Sequence, residues 1–477
     1  MAISEFTNEA ARLAFQIFSE AHPEYEATAA LDELRRRDFA RLDRANHVYL
    51  DYTGGGLYAE SQIDHHMNLL RDTVLGNPHS TNPTSMSATD RVEGCRSRIL
   101  EFFNASEKEY GVIFTANASQ ALKLVGESYP FEPGDQFLLT FDNHNSVNGI
   151  REFDRAHGAN TTYIPVSPPD MRVDPGVIDT HLDLADPRRH NLFAFPAQSN
   201  FSGVQHPLSW IERAQAKGWD VLLDAAAFVP TNRLDLSSHR PDYIALSFYK
   251  MFGYPTGVGA LIARWPALEK LHRPWFAGGT IEIASVQADR HYLAAGSAAF
   301  EDGTLDYANI PAIDVGLDFL ESVGLDAINT RVKCLVGWLI DSLLELRHDN
   351  GRPLIQLYGP PTTENRGGTV TINFYDPEGT VIDHDLIEES ANKEMISLRT
   401  GCFCNPGAGE MALGISKQEL VSCFTGSGRE MTYGDFRLCI DGKSTGAVRV
   451  SAGIVSNFND VYHFAEFAKL FLNGNRP

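Results

Sequence analysis

Short, continuous apolar runs separated by helix-length stretches set the rhythm of residues 111–263. GVIFTA (111–116), QFLLTF (136–141), TTYIPV (161–166), NLFAFPA (191–197), DVLLDAAA (220–227), DYIALSF (242–248) and GVGALIA (257–263) each read as a buried strand. Runs of this kind at this spacing predict a mostly parallel sheet with helices on both faces, an α/β fold. Upstream, apolar residues at Phe6, Ala10, Leu13, Phe15 and Phe18 predict an amphipathic helix over 5–20, and a highly charged second helix runs from Leu31 to Leu42. HVYLDY (47–52) is a short buried-type strand ended by Gly54–Gly56, and GNPHSTNPTS (76–85) has the proline and asparagine density of a loop. Near residue 310 the rhythm changes. Long helices over 312–347, strands at 368–375 and 447–453 and a helix at 459–472 predict a smaller α+β unit.

Composition narrows the class. The 477 residues are 43% hydrophobic, enough for a large core, with no collagen-like, coiled-coil or disordered bias. A formal charge of −22 argues against nucleic acid and anionic membranes as partners, while leaving room for a basic pocket inside an acidic surface. Six scattered cysteines do not make a disulfide framework, the first residues lack a basic leader, and no apolar run reaches the roughly 18–20 residues of a membrane span. A soluble, reducing, cytoplasmic setting is the expectation.

Ligands of open α/β sheets sit beyond the carboxyl ends of the strands, so the polar residues there carry the chemistry. Asp224 ends one apolar run, where a buried carboxylate needs a cation. Ser247 and Lys250 follow the next run. Thr115, Asn117, Ala118 and Ser119 precede a helix beginning near Gln120, an arrangement suited to a phosphate. His144 lies just past QFLLTF. A phosphate, a ring nitrogen wanting an anion, an aromatic ring wanting a stacking partner and an aldehyde wanting an amine would use all four, and pyridoxal phosphate has those parts.

LDAAA (223–227) and LSFYKMFGYPTGVGAL (246–261) resemble class V, fold type I pyridoxal-phosphate enzymes. HVYLDYTGGGLY (47–58), FEDGT (300–304), LRTGCFCNPGAG (398–409) and GAVRVSAG (446–453) are most similar to the cysteine-desulfurase domain of molybdenum-cofactor sulfurases. The resemblance implies an N-terminal helical segment (1–45) packing on a small C-terminal domain (311–477), with a large cofactor-binding domain (46–310) between them. It implies that Lys250 holds the cofactor covalently and then shuttles the Cα proton, that Asp224 pairs with the ring nitrogen, that His144 stacks on the ring and that Asn200 sits near the ring hydroxyl. Ala118, Ser119 and Ser247 would hold the phosphate, joined by Thr304 from a neighbouring subunit, which makes a homodimer the expectation. Arg449, with Arg399 beside it, would grip the substrate carboxylate. Cys404 would attack the sulfur of a bound cysteine and carry it as a persulfide to an acceptor protein or small thiol, with Cys402 as a resolving thiol or a packing residue.

Tyr249 stands where many desulfurases have His, and Ala227 where they often have Gln; both favour the sulfurase branch. The sulfurases continue into a further domain and this sequence stops at Pro477, so a freestanding desulfurase or C–S lyase is expected as readily as cofactor sulfuration. β-Elimination, transamination or epimerisation with a structural Cys404 remains the alternative. Each residue also has a plainer reading: Lys250 as a surface lysine, Asp224 as a helix cap, His144 as a turn residue, Arg449 as an ion-pair partner and Cys404 as a packing thiol. Three other motifs are weaker. Gly54–Ala59 fits a dinucleotide fingerprint without a following βαβ unit, Gly442-Lys443-Ser444 lacks the first P-loop glycine because residue 437 is Arg437, and Cys402, Cys404, Cys423 and Cys439 lack metal-site spacing, so no metal is expected. Residues 421–446 read as a flap or a surface excursion.

Overall fold

The computed structural model describes residues 9–426, 431, 439 and 446–475. A two-residue strand β1 (Val48–Tyr49) precedes the sheet that organises most of the chain. That sheet contains β2 (Tyr110–Thr115), β3 (Gln136–Thr140), β4 (Asn160–Ile164), β5 (Asn191–Pro196), β6 (Asp220–Asp224), β7 (Tyr243–Ser247) and β8 (Gly259–Arg264) in the order β2-β8-β7-β6-β5-β3-β4. Only β8 runs against the rest, pairing antiparallel with both β2 and β7. All seven strands read from the apolar runs are present, within a few residues of the expected ends.

The continuous apolarity of these strands, the half-exposed β4 excepted, has a structural cause. Along β2, Val112 and Phe114 enter one core while Ile113 enters the other; along β6, Val221 and Leu223 alternate with Leu222 in the same way. Successive side chains of a strand point to opposite faces, so a sheet covered on both sides needs apolar residues at every position. The arrangement also gathers the carboxyl ends of β2, β3, β5, β6 and β7 on one edge, with the amino end of β8 among them through the Ser247–Gly259 and Thr115–Gly259 pairings.

A hairpin, β9 (Ile281–Ser285) with β10 (Arg290–Leu293), stands out from this body, and its residues Ile283, Val286 and Tyr292 are exposed. The second sheet is antiparallel, in the order β11-β12-β15-β14, from β11 (Ile355–Tyr358), β12 (Thr369–Phe374), β14 (Arg399–Gly401) and β15 (Ala447–Ser451); β13 (Ile396–Ser397) pairs instead with β1. The long helices expected over 312–347 are Ala312–Val323 and Leu325–Leu344, separated by a break at Gly324, whose φ of 86° is a left-handed conformation that favours glycine. The charged helix near residues 31–42 is likewise broken, at Phe39, into Ala30–Asp38 and Ala40–Arg44. The first helix, Glu9–Ala21, sets Phe18 against Phe458 of the last long helix, Phe458–Lys469, and Arg35 reaches Asp460 of the same helix in a buried ion pair. No helix among the described residues is long and apolar enough to cross a membrane.

Candidate active site

The carboxyl edge of the large sheet encloses a hollow of about 180 Å³ lined by Asn117, Ala118, Ser119, His144, Gln198, Asn200, Asp224, Ser247, Tyr249 and Lys250. Each comes from the residues that end a strand or follow it. Asp224 is the last residue of β6, only 9% exposed, and its Oδ1 accepts the Ala226 N–H at 3.0 Å, which fixes the carboxylate toward the hollow. Ser247 ends β7, and Lys250 lies in the short helix Phe248–Phe252 that follows directly. Burial lowers the Lys250 amine below its ordinary value; the negative charge of Asp224 opposes this and the Arg449 guanidinium reinforces it.

Two turns complete the edge. The helix Ala118–Ser128 follows β2 and is capped by Asn117, whose side chain accepts the Gln120 N–H at 3.0 Å. In the same turn the Ala118 N–H donates to Ser247 Oγ at 2.8 Å, and the hydroxyls of Ser119 and Ser146 lie 2.6 Å apart. First-turn N–H groups, hydroxyls and a helix N-terminus form a cradle for an anion. Gly259 lets this turn rest on β8: a Cβ there would come within 2.6 Å of the Asn117 Cα. After β3, His144 Nδ1 accepts the Ser146 N–H at 3.1 Å, which leaves Nε2 to carry the proton of the neutral ring. Burial pushes the His144 pKa down, opposed by Asp224 and assisted by Lys250, so the imidazole is kept neutral.

The glycine run that mimicked a dinucleotide fingerprint has another task. A Cβ on Gly56 would lie 2.9 Å from the Lys250 carbonyl, Gly56 N–H donates to the Tyr249 carbonyl at 3.1 Å, and Gly55 faces the Tyr249 ring. The run is the seat of the lysine turn.

Cys404 approaches from the smaller sheet. It is exposed, and both it and Phe403 take left-handed backbone conformations, with φ of 54° and 55°. Non-glycine residues rarely adopt that region unless their surroundings impose it. Asn405 supplies the constraint: its side chain is fully buried, its Nδ2 donates to the Asp142 carbonyl at 2.7 Å and to Asn200 Oδ1 at 2.9 Å, and its Oδ1 caps the helix Pro406–Ala412. The Asn145 N–H donates to the Cys404 carbonyl at 2.6 Å. The charges of Lys250, Arg399 and Arg449 all interact with the Cys404 sulfur.

Arg449 of β15 and Arg399 of β14 stand directly opposite each other across the ladder. Asp51, just past β1, joins them: Arg449 Nη2 reaches Asp51 Oδ1 at 3.0 Å and Arg399 Nη2 reaches Asp51 Oδ2 at 2.5 Å. Arg449 is buried, its Nη1 donates to the Asn200 carbonyl at 3.0 Å, and Phe403 lies under its guanidinium at 4.7 Å.

Most expected site residues therefore converge: Lys250, Asp224, His144, Ala118, Ser119, Asn200 and Ser247 line one hollow, and Cys404, Arg399 and Arg449 interact electrostatically with its lysine or with one another. Thr304 does not join them. It lies on a separate cavity of about 220 Å³ with Gln120, Lys123 and Asp302, and its Oγ1 accepts from Asn77 Nδ2 at 3.4 Å. Asn200 lines the hollow and also donates to the Phe403 carbonyl at 2.8 Å, which steadies the Cys404 loop. Cys423 and Cys439 form a disulfide, a pairing that scattered spacing did not suggest and that removes both from any four-cysteine metal arrangement. Gly442-Lys443-Ser444 and most of the expected flap lie outside the described residues. Asp51 and Asn405 were not anticipated. The signal for Asp51 was present, because HVYLD ends an apolar run on a carboxylate as DVLLD does.

The hollow suits pyridoxal phosphate: a lowered amine for the aldehyde, a fixed buried carboxylate for the ring nitrogen, a neutral imidazole for the ring face and an anion cradle opposite. Comparison with known proteins agrees. A molybdenum cofactor sulfurase of Bos taurus is 40% identical over 463 residues, which is 92% of this chain and 51% of that protein. One of Arabidopsis thaliana is 37% identical over 476 residues, 92% of this chain and 57% of that protein. The chain thus spans about half the length of these relatives. In fold it is similar to a cysteine desulfurase of Thermococcus onnurineus, with a TM-score of 0.75 at 22% identity over 93% of this chain and 98% of that one, and to an Escherichia coli cysteine desulfurase, with 0.70 at 19% over 92% and 97%. The aminotransferase class-V family model matches residues 48–464, and the chain belongs to that family of pyridoxal-phosphate-dependent enzymes.

Proposed function

We propose that this enzyme removes sulfur from L-cysteine or a related thiol amino acid and takes it up on Cys404. The observation that carries the reading is a thiol on a clamped, left-handed loop, within the electrostatic reach of the lysine amine and of two arginines. A plain transaminase needs no such thiol. Similarity to molybdenum cofactor sulfurases over 92% of the chain supports the same reading.

Bound in the hollow, pyridoxal phosphate supplies an aldehyde and an electron-accepting ring. Lys250, with its amine lowered by burial, is suited to carry the Cα proton at Nζ. His144, neutral and held by Ser146, covers the ring face without adding charge. Arg449 holds the substrate carboxylate, and Cys404 supplies the nucleophile. Cys404 Sγ attacks the substrate sulfur: the new S–S bond forms as the Cβ–S bond breaks, the electron pair stays on carbon, and the carbon takes a proton to leave as alanine. The persulfide then passes to a small thiol or an acceptor protein.

Thr304 lines a cavity separate from the hollow of its own chain, which supports a homodimer in which it completes the phosphate cradle of a second copy. Sedimentation of the holoenzyme should give the mass of a dimer, and Thr304→Ala should weaken cofactor retention.

The sulfur chemistry is tested by exposing the holoenzyme to L-cysteine and measuring mass on Cys404. Alanine in step with one added sulfur, absent in Cys404→Ser, is the expected result. Pyruvate and ammonia with an unmodified Cys404 would replace the reading by C–S lysis.

A further inference from the structure

Two guanidinium groups directly opposite across an antiparallel pair are unfavourable, because like charges at that spacing repel. Arg399 and Arg449 stand in this relation. Asp51 reaches them from the other side of the chain, 398 residues from Arg449, giving one carboxylate oxygen to each guanidinium. It is itself 7% exposed. A Cβ on Gly54 would lie 2.5 Å from its Oδ2, so the turn after Asp51 is stripped of side chain where the carboxylate sits. Arg449, 3% exposed, retains a buried Nε with no hydrogen-bond partner among the described residues. Two cations and one anion leave this trio a net single positive charge, with a buried donor still to be satisfied.

We infer that Asp51 is a positioning and specificity-determining residue, which orients Arg449 and Arg399 and leaves their pocket matched to the single carboxylate of an α-amino acid with an uncharged side chain. The inference rests on the reading of Arg449 as the group that binds the substrate carboxylate, and it adds the selection rule. A monocarboxylate neutralises the remaining charge. A second carboxylate on the substrate has no cation left to meet and faces Asp51. Removing the Asp51 charge while keeping its shape frees a second positive charge and loosens the geometry of the first.

The experiment uses the holoenzyme and its Asp51→Asn variant, with L-alanine and L-aspartate each titrated as inhibitors of L-cysteine turnover and followed through the cofactor absorption band. In the wild type L-alanine should bind more tightly than L-aspartate. In Asp51→Asn, L-alanine should weaken by about tenfold while L-aspartate strengthens, so the ratio of the two inhibition constants moves by more than about tenfold. A merely structural role would weaken both together; an unchanged ratio overturns the inference. Should Asp51→Asn fail to fold, Arg399→Gln, changed at an exposed side chain, removes one cation instead. It should weaken L-alanine by about tenfold and keep L-aspartate excluded, and unaltered constants for both ligands in that variant also overturn it. A wild-type cofactor band that responds to no α-amino acid would defeat the underlying functional reading, an outcome distinct from a responsive enzyme whose selectivity ignores Asp51.

Discussion

The strand ends β6–β7 and the loop 399–405 hold reactive side chains by opposite means. Asp224 and Ser247 belong to strands buried along their length, and Lys250 sits three residues past one of them. Their positions follow from sheet hydrogen bonds and two apolar cores. Cys404 is exposed, on a backbone in a disfavoured region, and is placed by side-chain amides from Asn405 and Asn200. The first region gives accuracy through rigidity. The second leaves a thiol exposed and holds it through a small number of replaceable hydrogen bonds.

If the two regions are separable in this way, mutations should divide cleanly between loss of cofactor chemistry and loss of sulfur uptake. Lys250→Ala should have the largest effect, a drop in turnover of about a thousandfold or more, with loss of the borohydride-sensitive cofactor band. Asp224→Asn should retain a covalently bound cofactor and lower kcat by about a hundredfold, read in steady-state kinetics. Asn405→Ala should leave the cofactor spectrum as it is and sharply lower persulfide yield; urea unfolding should show a loss of about 1–3 kcal/mol from the unsatisfied Asp142 carbonyl and the lost cap. A spectrum altered as strongly as the persulfide yield would break the separation.

Cys404→Gly sharpens it further. Glycine accepts the left-handed backbone that cysteine resists, so this variant should gain about 0.5–1 kcal/mol over Cys404→Ala while both lose sulfur uptake. The smallest effect concerns pH. Burial holds the folded His144 below its ordinary value of 6.5. As the pH falls the unfolded chain binds that proton first, so stability declines from about pH 6.5 until the folded imidazole protonates as well. His144→Asn should remove this decline, by less than about 1 kcal/mol, in unfolding curves compared at about pH 7 and pH 5.

The same contrast explains what could be read from residue order. Apolar runs betrayed the strands because burial on both faces demands them in all but the half-exposed edge strand β4, and the polar residues at or just past their ends marked Asp224, Ser247 and His144. β9 and β10 escaped notice, since their residues face water and carry no such demand. Asp51 carried the same mark as Asp224, yet its partners lie 348 and 398 residues away, and only the folded chain brings them within bonding distance. Asn405 is legible as a cap before Pro406 but not as the brace of the residue before it. Thr304 was placed by resemblance at the site of a second copy, and in its own chain it lines a separate cavity.

The bond from the Asn145 amide to the Cys404 carbonyl joins the residue after His144 to the thiol's own backbone. A displacement of either backbone is therefore passed to the other, and under the proposed sulfur uptake an outward swing of Cys404 would pull on the turn that carries His144.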